Sequence, residues 1–272
     1  MIGEVTRRSP AVAGMFYPDD PATLRKQIRG FLEDGRARTA AEATPDVSTP
    51  KAIVTPHAGT VYSGPVAGTV YARLVARAAT IERVVLLGPS HRVPLQGLAA
   101  SSHDTFTTPL GDIPLDRDTI ARLVELPQVT LNDEPHRREH SLEVNLPFLQ
   151  EALGDFTLVP LVVGQASPED VAEVVEAAWG GPETVIVIST DLSHFLDYDT
   201  AQALDRETSS FIEQLDFERI SDERACGRGP LRGLLLAARN RGLSVQCVDL
   251  RSSGDTAGTK REVVGYGSYI VG

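Results

Sequence analysis

The sequence predicts a single α/β domain whose central, mostly parallel but mixed β-sheet is flanked by helices. Short runs of β-branched and aliphatic residues, such as 84–87 and 185–188, are typical of strands buried on both faces. Amphipathic helical patterns separate these runs, which indicates β-α-β units and therefore parallel strands. A chain of 272 residues can form one large core. We therefore expect residues 1–272 to fold as one domain.

The elements are predicted in chain order from capping residues and hydrophobic spacing. The first helix begins at Pro21, after the acidic capping residues Asp19 and Asp20, and carries its apolar residues at helical spacing through Leu32. Residues 35–50 lack hydrophobic periodicity and are predicted to form a mobile surface loop. The remaining predicted elements are a strand at 52–54, a helix at 63–75, a strand at 84–87, a hairpin within 98–116, a helix after Ser141, a strand at 158–163, a helix at 168–179, a strand at 185–188, helices at 200–215 and 230–240, and strands at 244–249 and 263–271.

Composition excludes several classes of function. The formal net charge is −11 at pH 7, and no basic cluster interleaved with aromatic residues is present, so nucleic acid is not an expected partner. No apolar stretch approaches the roughly 20 residues that span a bilayer, and residues 1–10 have no signal-peptide core. The two cysteines, Cys226 and Cys247, do not form a CxxC pair. These features predict a cytoplasmic protein without a membrane partner.

Three predicted strands each lead into a short loop that carries a histidine: His57, His91 and His194. Parallel strands place ligands beyond their carboxyl ends, so we expect these imidazoles to converge. Asp191 lies three residues before His194 and is expected to orient it as an acid/base group. His140 lies beside Glu139 in a charged cluster at the start of the helix after Ser141; such a cluster is typical of a helix cap, so His140 either belongs to that cap or lines the same site.

The role of Cys226 determines whether the predicted site binds a metal or performs nucleophilic catalysis. It lies just before a helix, where the positive end of the dipole and Arg228 are expected to favour the thiolate. A thiolate either binds a metal or attacks carbon. With two imidazoles it forms a soft site suited to iron, copper or zinc rather than magnesium or calcium. Cys247 lies in an alternating run and is expected to pack in the sheet.

Together these motifs resemble the Memo family, whose prokaryotic members are called AmmeMemoRadiSam system protein B. The resemblance covers nearly the whole chain and is carried by the segments Ala-Val-Ala-Gly-Met-Phe-Tyr-Pro at 11–18, Pro-His-Ala-Gly at 56–59, Tyr-Ser-Gly at 62–64, Gly-Pro-Ser-His at 88–91, Glu-His-Ser-Leu-Glu at 139–143, Ser-Thr-Asp-Leu-Ser-His at 189–194 and Cys-Gly-Arg at 226–228. It implies a fold like that of the class III extradiol dioxygenases, which use non-haem iron.

The resemblance also implies roles for individual residues. His57, His91 and Cys226 would be the metal ligands, and Asp191, His194 and His140 would line the pocket. The dioxygenases place a carboxylate where the Memo pattern has this cysteine, so ring cleavage does not follow directly. The family name further implies association with a radical-SAM protein and an AmmeMemoRadiSam partner domain.

Three functions remain open at this stage. The first is a metal-binding redox protein, or a dioxygenase-like oxidoreductase with Fe2+ (or copper or zinc), acting on an unknown small molecule. The second is a metal-independent hydrolase or amidase with Cys226 as nucleophile, His194 or His57 as base and Asp191 as orienting group. The third is a non-catalytic module that binds a peptide or other ligand in the same pocket, for which Arg92 and Arg228 are the nearest arginines.

Overall fold

The computed structural model describes residues 5–41 and 50–272. Helices cover the sheet, and the apolar spacing of the sequence predicted most of them. In the described ranges the α-helices are α1 (Pro21–Ala41), α2 (Thr60–Val75), α3 (Arg117–Leu123), α4 (Glu134–Arg137), α5 (Leu146–Leu153), α6 (Pro168–Ala177), α7 (Tyr198–Glu213) and α8 (Arg228–Asn240).

The strands of the described residues form a large mixed sheet and a small separate one. They are β1 (Arg7–Arg8), β2 (Ala52–Thr55), β3 (Arg83–Pro89), β4 (Leu98–Ala100), β5 (Thr105–Thr108), β6 (Gly111–Pro114), β7 (Val129–Leu131), β8 (Thr157–Val163), β9 (Thr184–Ser189), β10 (His194–Leu196), β11 (Val245–Ser252) and β12 (Val263–Val271). The small sheet has the order β1-β5-β6, and β5 and β6 form the predicted hairpin.

The large sheet runs β10-β12-β2-β9-β3-β8-β4-β7, with β11 also paired to β12. Its centre, β2-β9-β3-β8, is parallel, while β12 pairs antiparallel with β2 and β4 pairs antiparallel with β8. This arrangement confirms the predicted mixed, mostly parallel sheet. Because β2, β9 and β3 are parallel neighbours, their carboxyl ends lie at one edge, and the loops that follow them meet there.

Two groups of helices pack on this sheet. Helices α1, α2 and α5 pack together, with α2 against β2 and β12, whereas α6 packs on α8, which lies against β3 and β9. The central strands are buried on both faces; Val85, Ile186 and Val187 have no exposed surface. This double coverage explains why these strands are continuous apolar runs rather than alternating ones.

The structure differs from prediction at several elements. Residues 35–41, predicted to be loop, continue α1 to Ala41, and residues 42–49 of that predicted loop lie outside the described residues. The helix predicted to follow Ser141 begins only at Leu146, as α5, and a 3-10 turn at Glu143–Asn145 precedes it. The short elements β1, β7, β10, α3 and α4 were not predicted. Across 5–41 and 50–272, no helix combines the length and the apolar character needed to cross a membrane.

Candidate metal centre

The structure brings together the three residues that the sequence proposed as metal ligands. His57 follows β2, His91 follows β3, and Cys226 directly precedes the Gly227 cap of α8. One donor atom from each lies within 4.8 Å of the other two. The Sγ atom of Cys226 is 3.4 Å from Nε2 of His57. Two parallel strands on either side of β9, together with one helix start, therefore supply a compact group of nitrogen and sulfur donors.

A buried serine determines which nitrogen of His57 carries the proton. The Ser189 hydroxyl, at the end of β9, donates to the carbonyl oxygen of Ser141 at 2.6 Å and accepts from Nδ2 of Asn145 at 2.9 Å. Its single proton is thus used, so Nδ1 of His57, at 2.7 Å, must donate to Oγ. The lone pair of His57 therefore lies on Nε2, the nitrogen nearest Cys226.

A carboxylate performs the same task for His91. Oε1 of Glu139 lies 2.8 Å from Nδ1 of His91, and Oε2 accepts the His91 backbone N–H at 2.7 Å. Against the opposing effect of burial, the close His140 ring and hydrogen bonds from the His91 ring and the Ser141 backbone hold the pKa of Glu139 well below its usual value. An ionised Glu139 can only accept, so Nδ1 of His91 is the donor and Nε2 carries its lone pair.

Glu139 is also within reach of a second possible group of ligands, with His91 and His140. Its Oε1 already accepts the backbone N–H groups of His140 at 2.9 Å and Ser141 at 3.0 Å, in addition to the His91 ring. A carboxylate so fully hydrogen-bonded is an orienting group rather than a ligand. The first group, with Cys226, is therefore the better candidate for a metal.

The electrostatics of the centre favour a cation. Asp191 is buried, and its Oδ1 accepts the His57 backbone N–H at 2.7 Å, yet burial still raises the pKa of its carboxyl. Burial and the neighbouring Asp191 also raise the pKa of the Cys226 thiol to about 12. In the part of the chain that is described, no lysine or arginine forms an ion pair with Asp191. A cation bound here would stabilise the ionised forms of these two buried acids.

The imidazole of His57 is kept neutral by its surroundings. Burial first, and then the nearby His91 and His140, lower the pKa of His57 well below its usual value. A neutral imidazole with its lone pair on Nε2 is the form that ligates a metal. The centre thus presents one donor in the required state without any rearrangement.

Two expectations about this site were wrong. Arg228 does not favour a Cys226 thiolate, because its guanidinium pairs with Asp222, while burial and Asp191 favour the thiol. Asp191 does not orient His194 by a hydrogen bond either. Nδ1 of His194 lies 2.8 Å from the carbonyl oxygen of Leu192, which can only accept, so Nε2 of His194 is free of its proton in the neutral ring.

His140 lines the centre as expected. Its ring stacks on His91 with centroids 4.6 Å apart and meets His57 edge-on at 5.4 Å. Nδ1 of His140 lies 3.1 Å from Oε1 of Glu139 but is not directed for a hydrogen bond. Phe16 covers its other side, with ring centroids 4.7 Å apart. The segment before α1 therefore forms one wall of the site.

A buried ion pair attaches that segment to the site loop. The Arg8 guanidinium pairs with Glu143 and donates to the carbonyl oxygens of His136 and Glu139. Glu143 also accepts from the backbone N–H groups of Ala11 and Val12 and from the Tyr17 hydroxyl. Phe16 is thus positioned through several independent contacts.

Sequence reasoning did not single out Glu139, Ser189, Asn145 or Arg8. Glu139 was interpreted as a helix cap because acidic residues are common there. Its position directly beside a histidine was the available signal. Two other histidines lie outside the group of ligands: His103 bonds Asp133, and Nε2 of buried His136 donates to the Ala99 carbonyl oxygen. Both histidines therefore make their hydrogen bonds in or close to β4, away from the group of ligands.

The comparisons with known proteins agree with the resemblance noted in the sequence. The family model described as "Memo-like protein" matches residues 8–270. A MEMO1 family protein of Sulfolobus acidocaldarius is 34% identical, with 97% of this chain and 99% of that protein covered. A MEMO1 family protein of Methanopyrus kandleri is 36% identical, with 97% and 98% covered.

A solved structure supports the fold alone. The crystal structure of an uncharacterized protein from Escherichia coli K12 matches with a TM-score of 0.52 and 15% sequence identity. The match covers 80% of this chain and 98% of that protein. With the family match over residues 8–270 and relatives more than 30% identical along almost the whole length, this chain belongs to the Memo family.

Proposed function

We propose that this protein binds a redox-active metal ion, Fe2+ in the first instance, through His57, His91 and Cys226, and uses it in a dioxygenase-like oxidation of a small molecule. The observation that carries the proposal is the convergence of three donor atoms within 4.8 Å, with the lone pairs of both imidazoles freed by Ser189 and Glu139. Nitrogen and sulfur donors fit iron, copper or zinc.

Each residue has a definite task in this proposal. His57 and His91 hold the metal through Nε2, and Cys226 holds it after losing its thiol proton. Iron would supply one-electron redox chemistry and Lewis acidity at this position when bound. The buried Asp191 balances the added positive charge and accepts from the His57 backbone, so it holds that ligand in place.

His194 is the group best suited to move a proton. Its Nδ1 proton is held by the Leu192 carbonyl oxygen, so the neutral ring can accept a substrate proton at Nε2. The ring is partly exposed at the start of β10, and its charge affects both His57 and Asp191. It therefore lies at the boundary between the centre and solvent.

The experiment that tests the metal is elemental analysis of anaerobically purified protein. Wild type is expected to retain iron near stoichiometry, and Cys226→Ser and His57→Ala are expected to lose it. Cys247→Ser is the matched control, since Cys247 lies on β11 outside the group of ligands, and it should retain the metal. Circular dichroism of each variant verifies its fold. Wild type that is metal-free and takes up no Fe(II), Cu(I) or Zn(II) would refute the proposal.

One observation favours a second function. The 3.4 Å contact between Sγ of Cys226 and Nε2 of His57 is also the contact of a nucleophilic cysteine and its base. Against it, burial lowers the pKa of His57 while raising that of Cys226, so proton transfer between them is unfavourable. Iodoacetamide labelling at neutral pH separates the two functions. We expect slow labelling of Cys226 that metal blocks completely; rapid, metal-insensitive labelling would favour the nucleophile.

A further inference from the structure

A large open cleft adjoins the metal centre on the side of Cys226. Its volume is about 750 Å³, and Cys226 forms part of its wall. The loop after β3, the loop after β8 and the first turns of α8 form the rest. The side chains with polar or charged groups that line it are Ser90, Gln96, Gln165, Ser167, Asp170, Asp222, Arg228 and Arg232. The cleft is large enough for a small organic molecule in contact with the centre.

Two arginines of α8 line the cleft together. Arg228 and Arg232 are four residues apart, so they lie on the same face of the helix, one turn from each other. The guanidinium of Arg228 is neutralised by Asp222. The second carboxylate of the cleft, Asp170, is used in the cap of α6, where it accepts the backbone N–H of Ser167 at 3.1 Å.

Arg232 is different because its charge is not compensated. Its Nε is buried from solvent and has no hydrogen-bond acceptor among the described residues. Within the same residues, no carboxylate pairs with Arg232, although one pairs with each of Arg224, Arg228, Arg239 and Arg241. A charged donor withdrawn from water without an acceptor is unfavourable. Arg232 is half-buried and its positive charge has no partner among the described residues, so an anion in the cleft would supply the missing acceptor.

We propose that Arg232 binds an oxyanion group, a carboxylate or a phosphate, of the small-molecule substrate. The planar guanidinium suits the two oxygens of such a group. The rest of the molecule then extends along the cleft toward Cys226. This inference names the substrate class of the proposed metal function and rests on it, but the anion site is testable separately.

The test is a binding titration by calorimetry with three simple probes. Benzoate and phenyl phosphate carry the two possible oxyanions, and benzamide is the neutral match of benzoate. Wild type should bind the two anions and not benzamide, with the tighter anion identifying the natural group. Arg232→Gln should weaken anion binding by about tenfold or more, because a charge-assisted, two-point contact is lost.

Two further variants make the test specific. Arg239→Gln changes an arginine of the same helix that pairs with Glu218 and stacks on Phe217 instead of lining the cleft, and it should bind the anions as wild type does. Arg232→Lys keeps the charge without the planar fork and should bind with intermediate strength. Wild-type binding in Arg232→Gln, or equal binding of benzoate and benzamide by wild type, would overturn the inference.

Metal analysis of the same samples separates the two proposals. Retained metal with lost anion binding in Arg232→Gln supports both. Metal-loaded wild type that binds neither benzoate nor phenyl phosphate overturns the anion site and leaves the metal centre. Metal-free wild type that binds benzoate through Arg232 overturns the metal function and leaves the anion site.

Discussion

At the scale of single residues, hydrogen bonds around the centre determine which ring nitrogen of His57 and of His91 carries the proton. Ser189 has one proton and donates it to a carbonyl, so His57 has to donate as well; Glu139 has none, so His91 has to donate. In both histidines the lone pair therefore lies on Nε2, the ring nitrogen that does not face Ser189 or Glu139. Side chains outside the proposed ligand group therefore prepare both imidazoles to bind a metal.

Replacing Glu139 with glutamine tests this preparation. The variant should lose about 10–100-fold in metal affinity. The NH2 group of glutamine would face the backbone N–H groups that now donate to Glu139. The amide would also no longer hold His91 in a single tautomer. Competition with a chelator measures the affinity. Glu134→Gln is the control, since Glu134 forms an exposed pair with Arg137. Equal affinity in wild type and Glu139→Gln would show that His91 does not depend on this carboxylate.

The convergence of the three proposed ligands could be predicted from sequence, whereas their hydrogen-bond partners could not. His57 and His91 follow recognisable buried strands, and Cys226 precedes a helix that opens with glycines and proline. Ser189 is one of many serines, and its importance arises only where β9 passes the Ser141 carbonyl. The roles expected of Arg228 and Asp191 were wrong because each found a closer partner, Asp222 in one case and the His57 backbone in the other.

At the scale of elements, the contact between α1 and α2 depends on two glycines. A Cβ atom on Gly68 would lie 2.3 Å from the Phe31 carbonyl oxygen, and one on Gly35 would lie 2.4 Å from the Gly68 carbonyl oxygen. The two backbones therefore approach closely here. Gly35 was predicted to start a loop because residues 35–50 lack hydrophobic periodicity, whereas in the structure it permits the helix crossing.

Gly68→Ala should destabilise the protein by about 1–3 kcal/mol, because the two helices have to separate to admit the methyl group. Gly30→Ala is the matched control: the same helix pair has open space at that position. It should stabilise by about 0.5–1 kcal/mol through backbone entropy. Urea denaturation measures both. Similar effects from the two substitutions would contradict a close crossing at Gly68.

Helix α7 is tied to the loop after β9 by a buried carboxylate. Asp205 accepts the Ser193 backbone N–H at 3.0 Å and the Ser193 hydroxyl at 3.1 Å. Burial raises the pKa of Asp205 to about 6. Between about pH 4 and pH 6 the folded protein therefore keeps a proton that the unfolded chain has released, so the contribution of Asp205 to stability falls as pH rises.

Asp205→Asn should remove this pH dependence while keeping an acceptor for Ser193. Relative to wild type, the variant should gain about 1–3 kcal/mol of stability between pH 4 and pH 8. Thermal denaturation across that range measures the difference. Asp197→Asn is the contrasting variant, because hydrogen bonds from Thr200 lower the pKa of Asp197, so the difference should have the opposite sign. A pH-independent difference for Asp205→Asn would contradict the assignment.

At the scale of the whole molecule, the segment before α1 crosses to the site loop through Arg8 and Glu143. This pair is buried, with 4% and 0% of the side chains exposed. The neighbouring Arg7 forms an exposed pair with Asp112. Two adjacent arginines thus offer a direct comparison of a buried and a surface ion pair.

Arg8→Met should lower the free energy of unfolding by about 3–5 kcal/mol, because Glu143 is left as an unpaired buried charge. Arg7→Met should change it by no more than about 1 kcal/mol. Chemical denaturation of both variants provides the measurement. A small effect at Arg8 would mean that the N–H groups of Ala11 and Val12 and the Tyr17 hydroxyl are enough to hold Glu143.

The predicted architecture was confirmed because its signals extend over many residues: buried runs for β3, β8 and β9, and helical spacing for α6 and α8. The elements that were missed, such as β1 and β10, are two or three residues long and exist only through pairing with distant strands. Their formation depends on tertiary contacts that no local pattern encodes.

The position of β12 also sets an order of events during synthesis. This strand follows every other strand of the sheet along the chain, yet it pairs with β2, the strand that leads to His57. Cys226 is likewise translated long after His57 and His91. A ribosome-bound chain therefore displays two separate imidazoles before the thiol or the last sheet partner exists, so an ion bound by all three residues of the proposed centre would enter only after Cys226 has been translated.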